Sequence, residues 1–281
     1  SEKFQEKDSF WQPYLAVIPQ DVDEIGASYA WADSELNLLL EGSPLLNTSL
    51  FLQGRIHEEY DLLKESVFTK YPEKFPLDIF TYDNYLWAYG ILLSRAVRLG
   101  KTDDPDMFIA LVPYVDLINH NSFSDTYIDV LEEGQDLPLG LTTKEKFIVV
   151  QADKFYTQFE QIYISYGPKS NGQLLLLYGF CLERNQQDFL EVTVSHLFDE
   201  VPLAEEKKKI LDKRKLQRVA FPLYRDRFTN DMLAFLRFVL VEPEDLALAL
   251  PDESEDKGSE QMSMEQKIIT ALESVDPTKP G

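Results

Sequence analysis

From Trp31 to Leu40 apolar residues recur at helical spacing until Gly42-Ser43-Pro44 interrupts the pattern. The same spacing returns along residues 49–70, where Leu50, Ile56, Tyr60, Leu63 and Val67 share a face and Glu and Lys fill the outer one. The clearest helical stripe lies in residues 81–100: Tyr82, Tyr85, Leu86, Tyr89, Leu93, Ala96 and Val97 line up, Thr81 precedes them as an N-cap and Gly100 supplies the stop. Residues 9–20 mix aromatics with Pro13 and Pro19, which predicts a short helix and then a turn.

The pattern changes near residue 106. Met107 to Val112 is a continuous apolar run of the kind that forms a buried strand, and Thr126–Leu131 and Lys146–Gln151 show β-branched alternation around a loop marked by Gly134, Pro138 and Gly140. Phe159–Ser165 reads as a further short strand broken by Gly167-Pro168, and Asn171–Tyr178 as a helix closed by Gly179. From 188 to 250 the pattern is helical again, with Ala204–Val219 strongly charged, Thr229–Val241 strongly amphipathic, and Pro202, Pro222 and Pro243 as punctuation. After Pro251 an acidic stretch without apolar anchors has the composition of a flexible tail, with a helical turn at Ile268–Leu272. Helices, then short strands, then helices make an α+β chain.

Composition narrows the partners. A chain of 281 residues with 44% hydrophobic content holds one large core or two moderate ones. A formal net charge of −22 repels a phosphate backbone, so no nucleic-acid partner is expected, whereas a basic protein surface is attracted. Cys181 is the single cysteine, which leaves no internal disulfide and no thiolate zinc site and suits a reducing compartment; secretion is not expected. Apolar runs such as Leu174–Leu177 and Phe235–Val241 fall far short of the roughly 20 residues that cross a bilayer, so no membrane partner is expected. The opening Ser-Glu-Lys-Phe-Gln-Glu-Lys-Asp has neither a signal-peptide core nor a transit-peptide composition.

Several residues invite chemistry, each with a plainer alternative. Asn119 and His120 follow an apolar segment, where they either bind a polar ligand or form an ordinary turn with Asn121 and Ser122. Tyr166 ends an apolar strand and Tyr178 a leucine run, as channel walls or as core tyrosines with satisfied hydroxyls. Arg95 and Arg98 sit in the last turns of the 81–100 helix, where they either serve a site or complement the helix dipole.

Three segments decide among these readings. Pro113-Tyr114-Val115-Asp116-Leu117-Ile118-Asn119-His120, Tyr163-Ile164-Ser165-Tyr166-Gly167-Pro168-Lys169-Ser170-Asn171 and Tyr178-Gly179-Phe180, in this order, resemble the C-terminal half of the SET-domain methyltransferases. Gly-Pro-Lys-Ser-Asn and the Tyr-Gly-Phe ending are similar to the Rubisco large-subunit lysine methyltransferase group. So are Phe80-Thr81-Tyr82-Asp83, Trp87-Ala88, Leu93-Ser94-Arg95-Ala96 and the opening Phe10-Trp11-Gln12-Pro13-Tyr14-Leu15.

The resemblance implies a short-stranded SET-type fold with a large helical insert over residues 1–105, the C-terminal half of the catalytic core over 106–187, a mostly helical substrate-binding lobe over 188–251 and an acidic tail over 252–281. It implies transfer of a methyl group from S-adenosyl-L-methionine to a lysine of a protein substrate, without a metal. Asn119, His120, Arg95 and Phe180 would hold the cofactor, Asp116 and Tyr166 would be catalytic, and Tyr178 and Tyr127 would line the substrate wall. Val97 is apolar where a histidine-methylating relative has asparagine, which leans toward lysine. The strands with a Gly-x-Gly-like turn that open the family's domain have no counterpart, so the chain is expected to begin inside or just before the insert; the cysteine-rich zinc module of many histone-directed relatives is absent too. Rubisco, aldolase, ribosomal proteins and histones all stand as substrates, with chloroplast stroma as the implied compartment and cytoplasm or nucleus as the alternative. The main rival is a catalytically inactive SET-like scaffold subunit of a larger, plastid assembly; a helical adaptor without SET relationship would need the three motifs to coincide by chance.

Overall fold

The computed structural model describes residues 9–99, 108–131, 134, 136–137, 141–142, 147–194, 197, 201–213 and 220–242. The stop at Gly100, the turn residues Pro138 and Gly140, the end of the charged helix beyond residue 213, and the tail with its Ile268–Leu272 turn lie outside them. The chain divides into two compact units, Ser1–Gln187 and Asp188–Gly281.

In the first unit, α1 (Gln12–Leu15) is followed by α2 (Asp33–Leu39), α3 (Pro44–Leu63) and α4 (Tyr82–Arg95). The residues that stop α2 also start α3: the Ser43 side chain accepts from the Leu45 N–H, and Pro44 occupies the first turn, where no partner for its nitrogen is needed. A π-helical turn, Lys64–Phe68, extends α3 and buries Phe68 among Tyr60, Phe75 and Phe80. Thr81 caps α4 by accepting from Asn84 N–H; of the predicted stripe Leu86 is buried in the core of Ile18, Ile25, Ala27, Tyr29 and Ile56, with Tyr82, Tyr85, Tyr89 and Leu93 packed against it, and Ile91, outside that stripe, is buried there too. The Trp87 indole donates to the Pro19 carbonyl at 2.7 Å and so fixes the N-terminal segment on α4.

The helix expected over 81–100 ends at Arg95. Ala96 turns extended (ψ 127°), and Val97–Leu99 forms β1, paired antiparallel with β2 (Phe108–Ala110). Val97 continues the helical stripe in phase, but Leu99 is buried from a strand, so nonlocal pairing overrides the local period. Phe108 and Ile109 are exposed, which corrects the expectation of a buried strand there.

Beyond a short helical turn at Val115–Leu117, β3 (Asn119–His120) pairs parallel with the later β8 (Tyr163–Ile164). Between them β4 (Tyr127–Leu131) and β7 (Phe147–Gln151) form an antiparallel pair, and within it β5 (Asp136–Leu137) pairs with β6 (Leu141–Thr142), where a plain loop is expected. Then α5 (Asn171–Tyr178) begins with a reciprocal capping box, Ser170 with Gln173, and closes on Gly179 in the left-handed region (φ 77°).

The second unit is not all helical as expected. β9 (Phe189–Thr193) and β10 (Ala220–Tyr224) pair antiparallel, and α6 (Ala204–Lys213) and α7 (Asn230–Leu240) complete it. A ladder between segments this far apart leaves little local signal, and Pro222 is tolerated in a two-stranded ribbon, which always has an open edge for its missing N–H. Phe221, Phe235, Phe238 and Val239 form the core, with Lys207, 1% exposed, donating from Nζ to the Val239 carbonyl at 2.7 Å near the C-terminus of α7.

Candidate active site

The two-residue parallel pair β3–β8 decides the local geometry, because it sets His120 beside the segment that leads into Tyr166. The pairing is extended by Asn121 N–H donating to Ile164 O (3.0 Å) and Ser124 Oγ donating to Tyr163 O (2.8 Å). The Tyr166 backbone N–H donates to His120 Nδ1 at 3.0 Å, and the Tyr166 hydroxyl donates to the Ile118 carbonyl at 2.8 Å. Tyr166 therefore lies over the Asp116–His120 stretch, stacked on His120 (centroids 5.0 Å, 25° between planes) and on Tyr178 (4.9 Å, 29°). Phe180 closes the cluster at 6.2 Å from both His120 and Tyr178.

Behind the rings lies a polar group. Asp116, 7% exposed, accepts from the Tyr14 hydroxyl at Oδ2, its backbone carbonyl accepts from Arg95 Nη1 at 3.0 Å, and its N–H donates to Val112 O at 3.1 Å. Three buried polar atoms of this neighbourhood have no hydrogen-bond partner among the described residues: Arg95 Nε, Asp116 Oδ1 and His120 Nε2. Buried polar atoms are almost always paired, so an atom on the stacked His120 ring, one on the Asp116 carboxylate and one on the Arg95 guanidinium mark a place suited to a polar ligand.

Electrostatics agree with the hydrogen bonds. Because His120 Nδ1 accepts, the neutral ring carries its proton on Nε2, which makes that atom a donor. Burial holds the imidazole below its ordinary pKa and the nearby Lys169 charge adds to this, against an Ile164 carbonyl that works the other way. Burial also raises the Asp116 carboxyl, opposed by the Tyr14 hydrogen bond and the Arg95 charge, and raises the Tyr166 and Tyr178 hydroxyls. Lys169 Nζ stands 5.9 Å from the centre of the Tyr178 ring, its pKa lowered by burial and by Arg98.

The neutral, buried imidazole has a consequence for stability. Its folded pKa lies below the unfolded value of about 6.5, so the unfolded chain binds the extra proton first and the fold loses stability as pH falls through that value toward the lowered one. Denaturant titrations at about pH 7.5 and about pH 5.5 should show this loss in the parent and a smaller one in His120→Asn; an equal loss in both would exclude His120 as its source.

Residues 199–275 match the family model described as Rubisco LSMT substrate-binding. The chloroplastic fructose-bisphosphate aldolase-lysine N-methyltransferase of Arabidopsis thaliana is 29% identical over 250 residues, 88% of this chain and 49% of that protein. The chloroplastic ribulose-1,5-bisphosphate carboxylase/oxygenase large subunit N-methyltransferase of Pisum sativum is 28% identical over 246 residues, 86% of this chain and 48% of that one. A solved structure, Rubisco LSMT bound to AdoMet, superposes with a TM-score of 0.59 at 26% identity, covering 88% of this chain and 53% of the other. The chain is similar to SET-domain proteins of the Rubisco-methyltransferase-like group. It spans about half the length of the curated relatives it matches. The similarity is not confined to lysine methyltransferases: human actin-histidine N-methyltransferase is 25% identical over 186 residues, 66% of this chain and 29% of that protein.

The structure brings together Arg95, Asp116, His120, Tyr166, Tyr178 and Phe180 from the residues singled out in the sequence. Two stand elsewhere. Asn119 is exposed on β3, next to the cluster in sequence, and Tyr127, 51% exposed, donates its hydroxyl to Gln151 across the β4–β7 pair at 2.8 Å. Two further residues join the site that the sequence places only inside family-like segments, with no role of their own: Tyr14, which reaches Asp116 across 102 positions, and Lys169, inside the Gly-Pro-Lys-Ser-Asn step. No spacing rule links Tyr14 to Asp116.

Proposed function

We propose that this protein is an S-adenosyl-L-methionine-dependent protein methyltransferase that acts on a lysine side chain. The observation that carries the reading is the set of unpartnered buried atoms, Arg95 Nε, Asp116 Oδ1 and His120 Nε2, around the His120–Tyr166–Tyr178 stack. The two donors beside aromatic faces fit a zwitterionic adenosyl ligand, with Asn119, His120 and Arg95 as its polar partners and Phe180 packed against it, and the acceptor Asp116 Oδ1 is left for the substrate amine. When bound, S-adenosyl-L-methionine would supply a methyl group on a sulfonium, an electrophilic carbon open to in-line attack by a neutral amine, with the neutral thioether as the leaving group.

The chain's own residues prepare that amine. A lysine with an ordinary pKa near 10.4 is almost wholly protonated at neutral pH, so the site must favour the uncharged form. Dry walls of Tyr166 and Tyr178 disfavour the ammonium, and the Arg95 and Lys169 cations repel it, while Asp116 Oδ1 and the tyrosine edges orient the nitrogen. Val97, two residues past Arg95, offers no hydrogen-bonding group, which supports lysine over histidine. The substrate-binding match over residues 199–275 supports a docking role for the second unit, and the chloroplastic relatives support a plastid setting.

The test is labelling. Incubated with methyl-labelled S-adenosyl-L-methionine and, separately, purified Rubisco, aldolase and actin, the protein should place label on a lysine of one of them, located by mass spectrometry. Label on a histidine would overturn the lysine assignment. No label on any of the three or in a plastid extract, with no cofactor binding by calorimetry, would overturn the enzyme and leave the inactive scaffold.

A further inference from the structure

Asp116 is held at three points, and one of them comes from far away in the chain. Its N–H and carbonyl are fixed by Val112 and Arg95, which settle the backbone but leave the carboxylate free to rotate. The only described side-chain partner of the carboxylate is the Tyr14 hydroxyl on Oδ2, and Oδ1 is buried without one. Tyr14 belongs to α1, and the segment that follows α1 is tied to the rest of the unit by the Trp87–Pro19 hydrogen bond and by the close approach of Ile25 to Gly179. We infer that Tyr14 is a positioning residue: by engaging Oδ2 it orients the Asp116 carboxylate so that Oδ1 alone is presented to an N–H donor of the bound substrate. The inference rests on the methyltransferase reading for the identity of that donor, but the contact itself does not.

The groups that face the carboxylate are Tyr14 from α1, Arg95 from α4 and Tyr166 after β8. Tyr14 and Arg95 both favour the ionised form. Removing the Tyr14 hydroxyl therefore raises the pH at which Asp116 takes up a proton, and a protonated Asp116 has lost acceptor strength at the oxygen the substrate needs.

Tyr14→Phe keeps the ring and removes the one hydrogen bond. In the full chain with carbon-13-labelled aspartate, the carboxyl resonance assigned to Asp116 by its disappearance in Asp116→Asn should titrate at higher pH in Tyr14→Phe than in the parent. With whichever of the three proteins accepts label as substrate, kcat/KM should fall about tenfold, the acid limb of its pH profile should move to higher pH, and the loss should shrink to less than about twofold in an Asp116→Ala background. An unmoved Asp116 titration, or equal losses in the two backgrounds, would overturn the inference. If the parent transfers no methyl group at all, the functional reading falls, and the Tyr14–Asp116 assignment is still decided by the carboxyl titration.

Discussion

Gly179→Ala should destabilise the first unit by at least about 3 kcal/mol and abolish ligand binding, whereas Gly42→Ala, at nearly the same backbone angle, should cost only about 1 kcal/mol. Both glycines adopt positive φ, 77° and 76°, so both substitutions carry the left-handed penalty of an L-residue. They differ in surroundings. A Cβ on Gly179 would lie 1.9 Å from the Ile25 carbonyl oxygen and 2.7 Å from the Gly26 carbonyl carbon, while nothing stands within 4 Å of one on Gly42. The atoms in the way are backbone, so no side-chain rotation relieves the overlap. Because Tyr178 and Phe180 flank Gly179, any shift that makes room also displaces two rings of the cluster. Thermal melts followed by circular dichroism should separate the variants, by roughly 6–12 °C for Gly179→Ala against roughly 2–4 °C for Gly42→Ala. Equal shifts would mean that the close approach contributes nothing.

Gly179 also shows what the sequence can and cannot reveal. Its place after Tyr178, at the end of a helix opened by Ser170 and Gln173, is a local signal and reads correctly as a C-terminal stop. That Ile25 lies against it is not legible, since the contact joins segments with no shared period. The same division runs through the fold. Helices with caps and stripes, α3, α4 and α5, are visible in the pattern, and the β4–β7 pair follows its β-branched alternation. The β9–β10 ribbon is invisible because neither segment alternates cleanly and each is stabilised by a partner distant in sequence. β3 and β8, two residues each, are too short for any period to register, yet their parallel pairing assembles the candidate site. There the motifs supply His120, Tyr166, Tyr178 and Phe180, and the fold alone supplies the convergence of Tyr14 with Asp116.

Tyr166→Phe should leave the fold nearly intact and cut methyl transfer about a hundredfold or more. The ring stacks on His120 and Tyr178 survive the change, and the hydroxyl's hydrogen bond to Ile118 O is a single neutral one, so the stability loss should be about 1 kcal/mol. The large effect falls on chemistry. With the hydroxyl gone, the Ile118 carbonyl loses its donor and the Tyr166 ring loses the polar atom with which it helps orient an incoming amine. Loss confined to the turnover step should lower kcat and kcat/KM together while cofactor affinity by calorimetry changes less than about threefold, because Arg95, His120 and Phe180 are untouched. A hydroxyl with a purely structural role would give the opposite outcome, a measurable drop in melting temperature with kcat preserved. Label transferred by Tyr166→Phe at the parent rate to every methyl acceptor would mean that the hydroxyl takes no part in the transfer.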